Sequence, residues 1–239
     1  RKMASNNAYG PQIVTDGLVF CVDTNNAKSY PGAGTTWYDL SKNINLTLTT
    51  VTSASANGIV FDGTDDQIGA QDWPAHLNVD DSTTPRTWEA WCKPDVVDSG
   101  YHGIFGHKVA ESCSYWCNGG LFMYNNQFGF SWYDNSAYQN FMSGTPNALA
   151  GSAAHIVATY SGGFIHLYVN GELRNSSSTA SALNFSSGML KVEAGYNSKS
   201  GGQHWFDGTI YSLRFYKGKA LNHAEVKQNY NALRNRFGL

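Results

Sequence analysis

Five glutamates, Glu89, Glu111, Glu172, Glu193 and Glu225, are the first places to look for hydrolytic chemistry in this chain. Glycoside hydrolysis uses two carboxyl groups, about 5 to 5.5 Å apart for retention and wider for inversion. A strand can present such a set only on alternate residues, and no glutamate here has a second acid two positions away. Glu89, beside Trp91, and Glu193 therefore remain as a pair only if the fold sets them face to face, which is a glucanase-like alternative. No local Ser-His-Asp signature is present either. The expectation is that the chain is not an enzyme.

Sugar recognition is better supplied. Sugars offer apolar C–H faces and hydroxyl edges, so their sites combine aromatic platforms with amide and carboxylate hydrogen-bonding groups. Tyr101 to Phe141 is dense in both, with Asn118, Asn125, Asn126, Gln127, Gln139 and Asn140 interleaved among the rings. In GLFMYNNQFGFSWYD, alternation sends about half the aromatics into the core. If Phe128, Phe130 and Trp132 face inward, then Tyr124, Tyr133, Tyr138 and the loop residue Trp116 face out, with Asp134 and Asn135 beside them. Asn197 to Trp205 supplies His204 and Trp205 to the same rim. Ordinary packing or a subunit contact is the competing use of each of these rings.

Strands must hold these residues. In HIVATYSGGFIHLYVNG, His155–Tyr160 and Phe164–Val169 alternate and are rich in β-branched and aromatic residues. Gly162-Gly163 and Asn170-Gly171 tolerate positive φ and predict two tight hairpin turns. One helix is expected, at the C-terminus: Asn222 caps it, Glu225 completes a capping box, and Val226, Tyr230 and Leu233 form its apolar stripe. Lys227, Arg234 and Arg236 are expected on its solvated side. Everything else reads as strands separated by Gly, Asn and Ser turns, the rhythm of a β-sandwich.

Composition bounds the function classes. Of 239 residues 14% are charged and the net charge is -2, so there is no basic footprint for nucleic acid. No apolar run reaches the roughly 20 residues of a membrane helix. With no Pro-rich or charged linker, the expected organisation is an exposed arm over 1–12, with Asn6, Asn7, Gly10 and Pro11, and one domain over 13–239. No signal-peptide core is seen, and Arg1-Lys2 read as residues ahead of a start at Met3. Cys21 and Cys92 fall in strands and read as small buried apolar groups. Cys113 and Cys117 are spaced for a small disulfide loop if the protein ends outside a cell. His102 and His107 with those two cysteines match no common zinc spacing. The N-x-S/T strings at Asn45, Asn175 and Asn184 carry no assigned function.

Several of these segments together resemble the laminin-G-like, concanavalin A-like lectin/glucanase superfamily. They are the His155–Gly171 string, Ile59–Asp66 (IVFDGTDD), Thr87–Pro94 (TWEAWCKP) and Gly208–Leu239. The opening GLVFCVD, with Lys28–Gly32 and Trp37–Ser41, and the closing R-x-R-F-G-L are similar to versions found in tailed-bacteriophage particles. The resemblance implies an all-β antiparallel jelly-roll sandwich with a short C-terminal helix. Catalytic members commonly carry a Glu-x-Asp-x-Glu strand that is missing here, and the T-x-E-A-W strand of Glu89 also occurs in non-catalytic members. The resemblance further implies calcium, with Asp62 and Asp207 as the matched acids and Asp16 as a third, although Asp-Gly is equally a turn signal. The implied protein is a virion component, a capsid decoration or fibre, or alternatively a secreted one, binding a glycan or host-surface polysaccharide. Its other partners would be virion subunits, as a homo-oligomer or in many copies on a particle. A purely structural subunit-contact protein is the rival.

Overall fold

The computed structural model describes residues 12–79, 81, 83–108, 119–133, 138–145, 147–178, 191–199 and 202–239. In chain order the strands are β1 (Leu18–Asp23), β2 (Thr36–Trp37), β3 (Leu46–Thr47), β4 (Ser53–Ser55), β5 (Gly58–Asp62) and β6 (Ile68–Asp72). After a short 3-10 turn come β7 (Arg86–Pro94), β8 (Tyr101–Lys108), β9 (Gly120–Tyr124), β10 (Gln127–Tyr133), β11 (Tyr138–Met142), β12 (Ala154–Ser161) and β13 (Phe164–Val169). Then follow β14 (Glu172–Ser178), β15 (Lys191–Ala194), β16 (Tyr196–Lys199), β17 (Gly202–Trp205), β18 (Asp207–Lys217), α1 (His223–Leu233) and a final 3-10 turn, Arg234–Phe237. Two antiparallel sheets dominate: one of eight strands, ordered β14-β13-β12-β7-β18-β5-β4 with β1 also on β18, and one of six, ordered β11-β10-β9-β8-β15-β6.

The architecture is the expected antiparallel sandwich, and the turns form for the expected reason. Gly162 and Gly163 sit at φ 58° and 82°, and Asn170 and Gly171 at 54° and 77°. Both two-residue connections therefore have the paired positive φ that matches strand twist. Asn125 and Asn126, at φ 49° and 60°, make the same turn between β9 and β10. These two amides, among those interleaved with the rings, therefore sit at the tip of the β9–β10 hairpin, Asn125 exposed and Asn126 half-buried. Asn126 is anchored there, its N–H donating to the Asp98 carbonyl and its own carbonyl accepting from Asn147 and Ala148 N–H.

Alternation fills the space between the sheets. Trp88, Ala90 and Cys92 from β7, with Ile156, Ala158, Tyr160, Leu213 and Phe215, face Leu121, Met123, Phe128, Phe130 and Trp132. Trp88 packs on Phe130 at 4.7 Å and Phe215 at 5.3 Å. Phe128, Phe130 and Trp132 are all buried, as the alternation requires. Cys21 and Cys92 are free and buried, and burial raises both thiols above the usual range.

β7 is buried on both faces because the eight-stranded sheet has a second cover. α1 lies on its outer side, where Val14, Val157, Tyr168, Tyr216, Leu221 and Val226 form a smaller cluster. The capping box forms as expected: Asn222 Oδ1 accepts from Glu225 N–H at 3.0 Å and Glu225 Oε2 accepts from Asn222 N–H at 2.9 Å. Val226 and Tyr230 are buried beneath the helix, joined by a residue the apolar pattern passed over, fully buried Asn229. Arg236 is not on the solvated side: it donates to Asp23 Oδ1 at 2.6 Å, while Phe237 stacks on Trp91 at 4.5 Å. The closing R-x-R-F-G-L is thus a clasp across the sheet. Among the described residues no helix is long and apolar enough to cross a membrane.

Candidate functional site

Glu89 sits at the centre of the α1-covered face and is fully buried. Its Oε1 accepts from Arg214 Nη1 at 2.5 Å and from His155 Nε2 at 3.0 Å; its Oε2 accepts from Asn229 Nδ2 at 2.7 Å. Burial alone would raise this carboxyl, but Arg214, His155 and Asn229 outweigh it and hold it down to about 2. Asn229 Oδ1 and Tyr216 OH reach on to Val14 N and O, tying the start of the domain into the same network. Glu193 lies on the other sheet, opposite Gly106, between the core residues Val192 and Ala194 and so on the face turned away from the core. The whole sandwich separates the two glutamates, and the paired-acid arrangement does not exist.

His107 is equally sealed. Its Nδ1 accepts from Trp88 Nε1 at 3.1 Å, and Trp73 meets its ring edge-on at 4.5 Å. Burial, aided by Arg86, lowers it to about 3, so it is neutral. His102 instead bridges Asp98 Oδ1 at 2.8 Å and the Trp205 carbonyl at 2.9 Å. These two histidines therefore do not converge on a zinc site; Cys113 and Cys117 lie outside the described residues.

Of the three acids expected for calcium, Asp62 and Asp207 come together and Asp16 does not. Asp62 and Asp207 are register partners across β5 and β18, and burial, Asp95 and Asp62 raise Asp207 above the usual carboxylate range. Asp16 is at the opposite end of β18, 3.5 Å from Lys219. Asp65 and Asp66 join Asp62 instead, their oxygens within 4.8 Å of one another. Asp66 Oδ2 already accepts from Thr52 N, Thr52 Oγ1 and Asp62 N, and Asp62 Oδ1 from Thr64 N and Asp65 N. Much of this oxygen set is engaged in building the turn, so it does not fit a ready-made cage for an ion taking 6 to 8 oxygens.

The outer face of the six-stranded sheet is where rings and amides meet. Register puts Tyr101 opposite Tyr124 and Gly103 opposite Phe122 on β8 and β9, and Gly129 opposite Phe122 and Met142 on β10. A side chain at Gly129 would meet the Phe122 ring at 2.7 Å and Met142 Sδ at 2.8 Å, so glycine lets the ring lie flat on the sheet. Tyr101 stacks on Tyr124 at 4.0 Å and on Phe122 at 5.6 Å, and His204 meets Tyr101 edge-on at 5.3 Å. Asn140 Nδ2 donates to Tyr101 OH at 3.3 Å. Tyr101, Tyr124, His204 and Trp205 are half-buried and Asn140 is exposed.

Of the sugar-site residues named from sequence, Tyr124, Asn140 and His204 enter this rim, and Trp205 borders it through its carbonyl, which His102 meets. Tyr133 and Tyr138 are cross-strand partners on β10 and β11, but their side chains, with all of Trp116, Asp134 and Asn135, lie outside the described residues. Tyr101, at the hub, was not singled out. The signal for it was its place opening a strand directly after the Asp98-Ser99-Gly100 turn.

The fold and this ring-paved face define a lectin-type jelly roll. The chain belongs to the concanavalin A-like lectin/glucanase superfamily, whose family model matches residues 62–227. No curated protein matches its sequence. Among solved structures it is similar to a Trypanosoma rangeli sialidase mutant displaying trans-sialidase activity, with a TM-score of 0.66 and 16% identity over 98% of this chain and 36% of the sialidase. It is also similar to botulinum neurotoxin type C, described as entering cells through two ganglioside molecules, with a TM-score of 0.67 and 10% identity over 91% of this chain and 51% of the toxin chain. The binding domain of botulinum neurotoxin DC, in complex with rat synaptotagmin II, matches with a TM-score of 0.65 and 11% identity over 91% of this chain and 52% of that one. The chain thus spans about a third of the sialidase and half of the toxin chains. These likenesses show the fold. They also overturn the expectation that the chain is no enzyme as drawn from its acids alone, because about a third of a sialidase has this fold, matched by 98% of this chain. A missing acid pair excluded one glucanase pattern, not membership in an enzyme.

Proposed function

We propose that this chain is a glycan-binding module whose sugar contacts centre on Tyr101, Tyr124, His204 and Asn140, with Trp205 at the border. The observation that carries this reading is the Tyr101–Tyr124 stack at 4.0 Å, half-open to solvent, with the exposed Asn140 amide on the Tyr101 hydroxyl. It offers a flat apolar surface edged by hydrogen-bonding groups, the combination a pyranose ring requires. The proposal keeps Trp116, Tyr133, Asp134, Asn135 and Tyr138 as sugar contacts on their residue types alone. The ganglioside named for one structural relative supports the class of ligand. The likeness of the opening and closing segments to phage proteins supports a place on the outside of a virion, facing a host-surface polysaccharide. There, many copies turn weak single contacts into useful adhesion.

The test is a glycan and host-polysaccharide array run with the protein and its Tyr124→Ala variant. Losing one ring contact should weaken a single site about two- to tenfold, and the loss grows on a multivalent surface. Absence of any glycan signal, or a Tyr124→Ala variant that binds as the parent does, overturns the reading. A second use, contact between copies, is favoured by β14, an edge strand whose seven residues are all exposed or half-buried. A defined oligomer by light scattering, lost when Asn175 is replaced by proline, would support that use.

A further inference from the structure

The opening segment holds a second concave site that the rim above does not use. Trp37 and Tyr38 are neighbours with opposite fates: Trp37 is fully buried and Tyr38 is 43% exposed. Ser29 fixes that exposed ring. Tyr38 N–H donates to the Ser29 carbonyl at 2.7 Å, and Ser29 Oγ, itself fully buried, donates to the Tyr38 carbonyl at 2.6 Å. The same clamp sets Lys28, the residue before Ser29, beside the ring.

The far wall is built by Asp39. Its buried carboxylate accepts from Cys21 N at 2.8 Å, Ser41 N at 2.9 Å, Asn43 N at 2.9 Å and Ile44 N at 3.3 Å. That winds 39–45 into one compact loop and turns Lys42 into the left-handed region at φ 64°. Asn45 Oδ1 accepts from Asp39 N at 3.0 Å, which leaves its NH2 group as a donor. Lys28, Tyr38, Asp39, Lys42, Asn43 and Asn45 line a cavity of about 510 Å³, with Leu40 and Ile44 as apolar lining.

Its charge is selective. Among the described residues Asp39 is the one acid lining the cavity, and its oxygens accept from backbone N–H groups. Lys28 and Lys42 are exposed and have no ion-pair partner among the described residues. Two ammonium groups, an exposed aromatic face and amide donors, preset by buried hydrogen bonds, suit a sugar ring that carries an anion. We infer that this cavity binds an acidic saccharide, one bearing a carboxylate or sulfate, as a site separate from the Tyr101–Tyr124 rim. Cys21, whose N–H donates to the Asp39 carboxylate, pairs with Arg214, nine residues along the chain from Trp205 and about 30 Å away at strand rise.

Calorimetric titration with tetragalacturonate, a carrageenan tetrasaccharide and maltotetraose tests it. The expected result is binding of one or both acidic probes, weakened by salt, with maltotetraose at least about tenfold weaker. Replacing both lysines, Lys28→Gln with Lys42→Asn, should remove that preference; asparagine tolerates the left-handed backbone at 42. Tyr38→Ala should weaken the acidic probes, while Leu149→Ala, at an exposed position that lines neither this cavity nor the rim, leaves them unchanged. Equal affinity for acidic and neutral probes, no binding of any, or a double-lysine variant that still prefers the acidic probe overturns the inference.

Discussion

Replacing Glu89 with glutamine should be one of the costliest single-atom changes in this protein, and its effect should be on stability. The carboxylate is fully buried, 2.5 Å from Arg214 Nη1, 3.0 Å from His155 Nε2 and 2.7 Å from Asn229 Nδ2. All three donate, as does the Tyr216 hydroxyl to Oε2 at 3.4 Å. Glutamine keeps the shape but removes the charge and turns one acceptor into a further donor, facing either Arg214 or Asn229. Arg214 would then be a buried cation whose nearest remaining carboxylate is Asp23, at 3.8 Å. Removing one partner of a buried ion pair costs about 3 to 5 kcal/mol. At about 2 to 4 °C per kcal/mol for a chain of this size, the melting midpoint should fall by about 6 to 20 °C. Urea unfolding of Glu89→Gln, Arg214→Met and the double variant measures it, and the double should lose less than the sum of the singles. A Glu89→Gln variant within about 0.5 kcal/mol of the parent, the range of an inert surface change, would refute the reasoning.

The pH dependence of stability follows from two buried groups. His107, held at about 3 against an ordinary 6.5, contributes fully above pH 6.5 and loses that contribution as pH falls toward 3, at up to about 1.4 kcal/mol per pH unit. Glu89, held at about 2 against 4.5, adds a loss in the same direction between pH 4.5 and 2. Urea midpoints should therefore drop steadily from pH 6.5 to 4.5, and His107→Phe should flatten that slope; a flat parent profile contradicts the assignment. Asp66→Asn should cost about 1 to 3 kcal/mol, because one oxygen serves three donors at the β5–β6 turn, measurable by thermal melting. Gly129→Ala should disturb the Tyr101–Phe122–Tyr124 pavement, since no methyl fits under Phe122; the near-UV circular dichroism of the stacked tyrosines should change, and an unchanged spectrum would count against the packing described.

What could be read in the sequence was whatever depends on neighbours along the chain. Gly162-Gly163 and Asn170-Gly171 announce hairpins because positive φ is a local property, and Asn222 with Glu225 announces a helix start for the same reason. Alternation correctly sends Phe128, Phe130 and Trp132 inward, since pleating is local too. The site residues fail where the information is tertiary. Glu89 looks catalytic on a strand but becomes a structural anion only when Arg214, 125 positions away, and Asn229, 140 away, close over it. The capping box predicts α1 but not that Asn229 is as fully buried as Val226, because its partner is that same carboxylate. Asp16 and Asp62 share an Asp-Gly motif, yet β18 carries their surroundings to opposite ends of one long strand. Tyr101 gains meaning only through Tyr124 on the next strand. A search for function in this fold therefore has to start from cross-strand registers: they set Glu89 beneath the helix, where it holds the sandwich together. They also set Tyr101 on the outer face of the other sheet, half-buried and stacked on Tyr124.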